Sequence, residues 1–155
     1  MKIYIGSDHG GYQLKEELKK YLSELGYETE DMGGHELNPE DDYPDFIFPV
    51  AENVALRVAQ GEHAMGIVIG RSGNGEVIAA NKVKGIRAAL CTTKAMARHA
   101  REHNDANILS LGADVIDAKG VKEIVKVFLE TPFSNEERHK RRLQKIDDYE
   151  IAHNK

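Results

Sequence analysis

The stretch Met65-Gly66-Ile67-Val68-Ile69-Gly70-Arg71-Ser72-Gly73-Asn74-Gly75-Glu76-Val77-Ile78-Ala79-Ala80-Asn81-Lys82 holds a short apolar run, a glycine-rich break and a helical pattern in succession. It reads as a strand over 65–70, a loop, and a helix over about 75–82. The same rhythm recurs on both sides. Apolar runs at about 2–7, 27–31, 86–91 and 107–111 alternate with helical periods at about 11–25, 44–60, 93–103 and 118–130, and a charged helix follows from about 134 to 150. This alternation predicts an α/β fold: a Rossmann-like three-layer sandwich with a five-stranded parallel sheet, helices on both faces and a C-terminal helix.

The first helix shows how the elements are read. Leu14, Leu18, Tyr21, Leu22 and Leu25 fall on one face, Lys15, Glu16, Lys19 and Lys20 mostly on the polar one, and Gly26 ends it. Pro44 suits the first turn of the second helix, and Pro132 closes the fifth. The last helix carries few apolar residues, Leu143, Ile146, Tyr149 and Ile151, which a second subunit would cover.

Composition sets the outer bounds. The chain has 155 residues, 21 Lys+Arg against 26 Asp+Glu for a net charge of −5, 41% hydrophobic residues and a single cysteine. That describes one domain over 1–155, and a domain of this length buries roughly 70% of the surface its unfolded chain exposes without needing disulfides or a structural metal. One thiol fits a reducing, cytoplasmic setting. No apolar run reaches the ~20 residues of a membrane span, and the N-terminus lacks the apolar length of a signal peptide. Net acidity argues against nucleic acid as a partner. Only Arg138-His139-Lys140-Arg141-Arg142 concentrates positive charge, and a small anionic ligand would account for it.

In a sheet of this kind ligands bind beyond the carboxyl ends of the strands, so the residues that follow each strand are the candidates. After the first come Ser7-Asp8-His9-Gly10-Gly11, where Asp8 and His9 are either presented to a ligand or serve as a helix cap and an exposed turn residue. After the third, glycines at 70, 73 and 75 match neither G-x-G-x-x-G nor G-x-x-x-x-G-K-[ST]. The loop instead offers backbone amides converging on a helix start, able to hold a developing negative charge, with Ser72 adding a hydroxyl and Glu76 in the first turn. The alternative is an ordinary glycine turn with a glutamate that steadies its helix. Cys91 reads as a small buried hydrophobe. His99 and His103 are spaced as a metal pair but lack a third ligand, and His103 is the better placed of the two to face the strand-end cleft. Arg138 and Arg142, four residues apart, either grip a phosphate or form a solvated basic face.

Several longer matches in the same order tie these pieces together: Gly6-Ser7-Asp8-His9-Gly10-Gly11, Asp42-Tyr43-Pro44-Asp45, Gly70 to Lys82, Gly85 to Leu90, Ala100 to Asn107, and Arg138 to Arg142. Over about 145 residues the chain resembles the type B ribose-5-phosphate isomerases, in the family that also contains the galactose-6-phosphate isomerase subunits. The resemblance implies aldose–ketose isomerisation of a sugar phosphate through an enediolate, without metal or organic cofactor, in a homodimer or dimer of dimers with active sites at the subunit interface. One branch uses a cysteine as base at the position of Gly70; this chain resembles the other, in which a glutamate, here Glu76, takes over.

By the same resemblance Ser72 and the amides around Gly73, Asn74 and Gly75 stabilise the enediolate oxygen, and His103 opens the sugar ring. Asp8 and Tyr43 bind sugar hydroxyls, Asn104 holds the substrate oxygen near the reacting carbons, and His9, Arg138 and Arg142 bind the phosphate. Two positions depart from the pattern. Asp114 stands where the family usually carries a phosphate-gripping arginine, and Arg71 stands where the glutamate branch commonly has glycine, so Arg71 is expected to supply the missing positive charge. Pentose 5-phosphates are the leading substrates; hexose or tetrose phosphates, an unphosphorylated aldose, or a non-catalytic phosphosugar-binding module are the alternatives. The loop 32–43 is expected to help set pocket size.

Overall fold

In the computed structural model, residues 1–153 are described. The elements run β1 (Lys2–Ser7), α1 (Tyr12–Glu24), β2 (Glu28–Asp31), α2 (Pro44–Ala59), β3 (Ala64–Gly70), α3 (Asn74–Ala80), β4 (Ala88–Leu90), α4 (Lys94–Asn104), β5 (Ile108–Gly112), α5 (Ala118–Glu130) and α6 (Glu137–His153). The five strands form one parallel sheet in the order β2-β1-β3-β5-β4.

The central strand β3 is buried along its whole length. Its side chains alternate between two apolar layers, as the period of two requires. Met65, Ile67 and Ile69 pack with Leu18, Leu22, Val125 and Phe128 of α1 and α5. Ala64 and Val68 pack on the other face with Ile47, Val50 and Val54 of α2 and Ala79 and Ala80 of α3. Cys91 lies in the first layer, 1% exposed, and burial pushes its thiol pKa up to about 11. The expected strand over 86–91 is paired only over 88–90; Ile86 before it and Cys91 after it still enter the apolar layers.

One residue of α1 reverses its expected environment. Periodicity places Lys15 on the polar face, yet it is fully buried. Its ammonium donates to both carboxylate oxygens of Asp31 at 2.8 and 2.7 Å and to the carbonyls of Gly33 and Gly34 at 2.9 and 2.8 Å. A buried charge is tolerable only with this degree of pairing. Burial alone would raise the Asp31 pKa, but hydrogen bonds from Lys15 and Lys19 and from the Gly33 amide hold it below the usual carboxylate range. This cluster ties the start of the 32–43 loop to α1.

The C-terminal helix lies over the β4 edge. Leu143 is buried, Glu150 accepts from the Gly85 amide at 3.0 Å, and Asp147 sits 3.7 Å from Arg87. Ile146, Tyr149 and Ile151 stay more than half exposed.

Candidate active site

The sheet order places β1 beside β3 while their following helices, α1 and α3, cover opposite faces. The chain therefore leaves these two strands in opposite directions, and a crevice opens at their carboxyl ends. Into it project the segments after β1, β3 and β5.

The glycines there are required by close approach. A Cβ on Gly11 would stand 2.5 Å from the Ile69 carbonyl oxygen, and one on Gly112 would stand 2.5 Å from that of Ser72. Gly73 adopts φ +83° as it caps α3, a conformation that glycine enters without strain. The loop is pinned from β5: the Ser110 hydroxyl donates to the Gly73 carbonyl at 2.8 Å, and the Ala113 and Asp114 amides donate to the carbonyls of Gly70 and Arg71 at 2.8 and 2.9 Å.

Glu76, in the first turn of α3, is only 4% exposed. Its carboxylate fills the space that any side chain at position 70 would enter: a Cβ there would overlap Oε1 and Cδ and lie 2.6 Å from Oε2. Burial, and secondarily the nearby negative charge of Asp8, raise the Glu76 pKa above its ordinary value. Asp8 is 9% exposed, and its Oδ1 accepts from the amides of Gly10 and Gly11 at 2.9 and 3.2 Å. The turn-stabilising role therefore uses Oδ1 and leaves Oδ2 for a ligand. Tyr43 caps α2 and lies over Gly75, where a Cβ would meet its ring at 2.7 Å.

Ser72 Oγ accepts from the Asn74 amide and from Asn74 Nδ2 at 3.3 and 3.2 Å, so its own proton remains free to donate. Among the described residues the amides of Gly73 and Gly75 have no acceptor. Because α3 has only seven residues, these individual donors, more than an extended helix dipole, make the loop suited to an oxyanion.

Beside this group, His9 and Arg71 line an open cavity of about 410 Å³ that reaches Asp114. An Arg71 Nη stands 3.6 Å from an Asp114 carboxylate oxygen, both side chains well exposed, so Arg71 meets the departing charge at 114 directly. Asp8, His9 and Asp41 bring three possible metal-ligand atoms within 4.8 Å of one another, but Asp41 already holds His9 Nδ1 at 2.6 Å.

Four expected site residues lie elsewhere. A helix joining parallel strands runs antiparallel to them, so α4 begins at the carboxyl edge of the sheet and finishes at the amino edge. His103 and Asn104, in its last turn, therefore do not face the strand-end cleft of their own chain. Arg138 and Arg142 accompany them, because the Ser134 amide binds the Glu102 carbonyl at 3.1 Å and the His139 ring lies 4.5 Å from that of His103. The seven-residue strand β3 separates the two groups by roughly 20 Å. His99 stacks on His103 at 4.9 Å between centroids. Arg138 is held by Glu136 at 2.8 Å, and Arg142 has no ion pair among the described residues.

Two participants were not legible beforehand. Lys15 carries no local sign of burial, and Asp41 meets His9 across 32 residues of chain.

Comparison with known proteins supplies the family. The model of the ribose/galactose isomerase family matches residues 3–146. Ribose-5-phosphate isomerase B of Mycobacterium tuberculosis is 40% identical over 153 residues, covering 99% of this chain and 92% of that protein. Among solved structures, ribose-5-phosphate isomerase B of Clostridium thermocellum superposes with a TM-score of 0.90 at 50% identity, covering 98% of this chain and 99% of the other. That of Mycoplasma genitalium, solved with bound ribulose-5-phosphate, superposes with a TM-score of 0.91 at 38% identity over 97% and 96% of the two chains. On its sequence and on its overall fold alike, this chain belongs to the ribose/galactose isomerase family.

Proposed function

We propose that the protein interconverts ribose 5-phosphate and ribulose 5-phosphate, with Glu76 moving the proton between the two reacting carbons. The observation that carries this reading is the buried Glu76 carboxylate set over Gly70, beside Asp8, Tyr43 and the donors of the 72–75 loop. From the aldose to the ketose, Glu76 takes the proton from C2, electron density moves to the carbonyl oxygen on C1, and the enediolate forms. The Ser72 hydroxyl and the Gly73 and Gly75 amides hold the negative oxygen. Glu76 then returns its proton to C1 while the O2 proton passes to the O1 oxyanion, so that C1 carries the hydroxyl and C2 becomes the ketose carbonyl. A raised carboxyl pKa makes Glu76 a stronger base, and each well-aimed oxyanion donor of this kind typically contributes about 3–4 kcal/mol.

His103, Asn104, Arg138 and Arg142 serve this reaction from a second copy of the chain. The roughly 20 Å between the two edges of one sheet supports a site that joins the two groups from different copies. In a homodimer, or a dimer of dimers, the amino-edge group of one copy closes the carboxyl-edge crevice of the other. His103 then opens the cyclic sugar, and the two arginines join His9 and Arg71 around the phosphate.

The test is ribose 5-phosphate isomerisation in the presence of a chelator, with Glu76→Gln beside the wild type. Wild-type turnover that survives chelation and collapses in the variant is expected. Undiminished turnover by Glu76→Gln overturns the assignment of the base, and activity that requires added metal overturns the cofactor-free scheme.

A further inference from the structure

We infer that Asp41 is a positioning residue, whose carboxylate fixes the tautomer and the aim of His9 so that Nε2 meets the substrate phosphate. The inference rests on the reading of His9 as a phosphate ligand and goes one residue beyond it.

Asp41 Oδ1 binds His9 twice, accepting from its backbone amide at 3.1 Å and meeting ring Nδ1 at 2.6 Å. The Asp41 side chain is 8% exposed and that of His9 is 24% exposed. A carboxylate only accepts, so the ring proton sits on Nδ1. Nε2 has no partner among the described residues, and His9 lines the cavity it shares with Arg71. A proton shared between Nε2 and a phosphate oxygen completes the contact once the ligand is bound. The double grip removes both freedoms the ring would otherwise have, rotation and the choice of tautomer, before the ligand arrives.

Nothing else explains Asp41. Among the described residues its side chain makes no polar bond except those to His9, and its Oδ2 is buried without a partner. A buried carboxylate oxygen left unpaired costs stability, so a loop residue with a purely structural task would be better replaced by a neutral one. Its place is also set independently of His9. Lys15 anchors the base of the 32–43 loop through the Gly33 and Gly34 carbonyls, and the Asp41 amide closes a turn onto the Asn38 carbonyl at 3.2 Å. The aim of His9 is thereby referred to the fold rather than to solvent.

The experiment combines kinetics with nitrogen NMR of the imidazole in the intact protein. Asp41→Ala is expected to raise KM for ribose 5-phosphate and the inhibition constant of inorganic phosphate by about tenfold, while kcat changes by less than about threefold. Asp41→Asn, whose amide oxygen still accepts from Nδ1, is expected to recover most of that loss. In a His9→Ala background Asp41→Ala is expected to add nothing, because the partner through which it acts is gone. The wild-type spectrum is expected to show the proton on Nδ1, and that of Asp41→Ala to lose this preference. If His9→Ala weakens phosphate binding and Asp41→Ala does not, or if Asp41→Ala lowers kcat as much as it raises KM, the positioning role is overturned. A wild-type His9 protonated on Nε2 alone overturns it as well. If His9→Ala itself leaves phosphate binding unchanged, the assignment of His9 fails first and the inference falls with it, whatever the fate of Glu76.

Discussion

Gly70→Ala isolates the position of the Glu76 carboxylate from its chemistry. The new methyl group lands on the carboxylate, and restoring ordinary contact, which begins at 3.4 Å, forces the nearer oxygen back by roughly 1.5 Å. Gly70 does not have a left-handed backbone, so alanine is not strained there and the strand keeps its pairing with Gly112. The damage should therefore fall on catalysis. A displacement of about 1 Å at the reacting group costs on the order of 10²-fold, or about 2.7 kcal/mol of barrier. Steady-state assay of ribulose 5-phosphate formation should show kcat reduced to that extent, with KM changed little, since the proposed phosphate ligands His9 and Arg71 are not displaced. Thermal unfolding should move by only a few degrees, as a smaller backbone entropy loss offsets the crowding. Wild-type kcat in a folded Gly70→Ala protein would refute the placement of the base. A collapse of the fold would refute the claim that Glu76 can yield without disturbing β3.

Four further outcomes are expected. Because burial and then Asp8 raise the Glu76 pKa in the folded state, that group stabilises the fold fully below its unfolded pKa and loses the contribution as pH rises through the folded value; Glu76→Gln should melt above the wild type at pH 7 and lose that advantage below about pH 4. The acid limb of the wild-type kcat/KM profile should accordingly break above the ordinary glutamate range, and a break within that range would contradict the desolvated base. Arg71→Ala should raise KM for a phosphorylated sugar far more than for an unphosphorylated one, and Asp114→Asn should lower the former a fewfold by releasing Arg71 from an exposed pair; equal effects on both sugars would remove Arg71 from the phosphate site. Cys91, with a pKa near 11, is roughly 0.1% thiolate at pH 8, so iodoacetamide should leave activity intact, and rapid inactivation would place the thiol outside the apolar layer.

Most elements were legible because each rests on a local physical cause. Alternating apolar runs placed β1, β3 and β5 to within a residue or so, Pro44 placed the start of α2, and the glycines at 70, 73 and 75 placed the loop that holds Glu76. The shortness of β4 was not legible, since Ile86 and Cys91 on either side of it enter the apolar layers as a strand's own residues would. Nor was the burial of Lys15, which depends on two carbonyls and a carboxylate brought in by another segment.

The layered α/β class, the alternation of strand and helix, and the residue types available to a sugar-phosphate isomerase are all written in the linear order of residues. Which of them share a site follows from the folded chain. The strand order β2-β1-β3-β5-β4 opens the crevice between β1 and β3, and the reversal of chain direction through α4 carries His103 and the arginines of α6 to the far edge. Spacing along the chain records which residues share one face of one element. Which end of a sheet an element finishes on, and which loop reaches His9 from 32 residues away, depend on contacts between segments that no local pattern encodes.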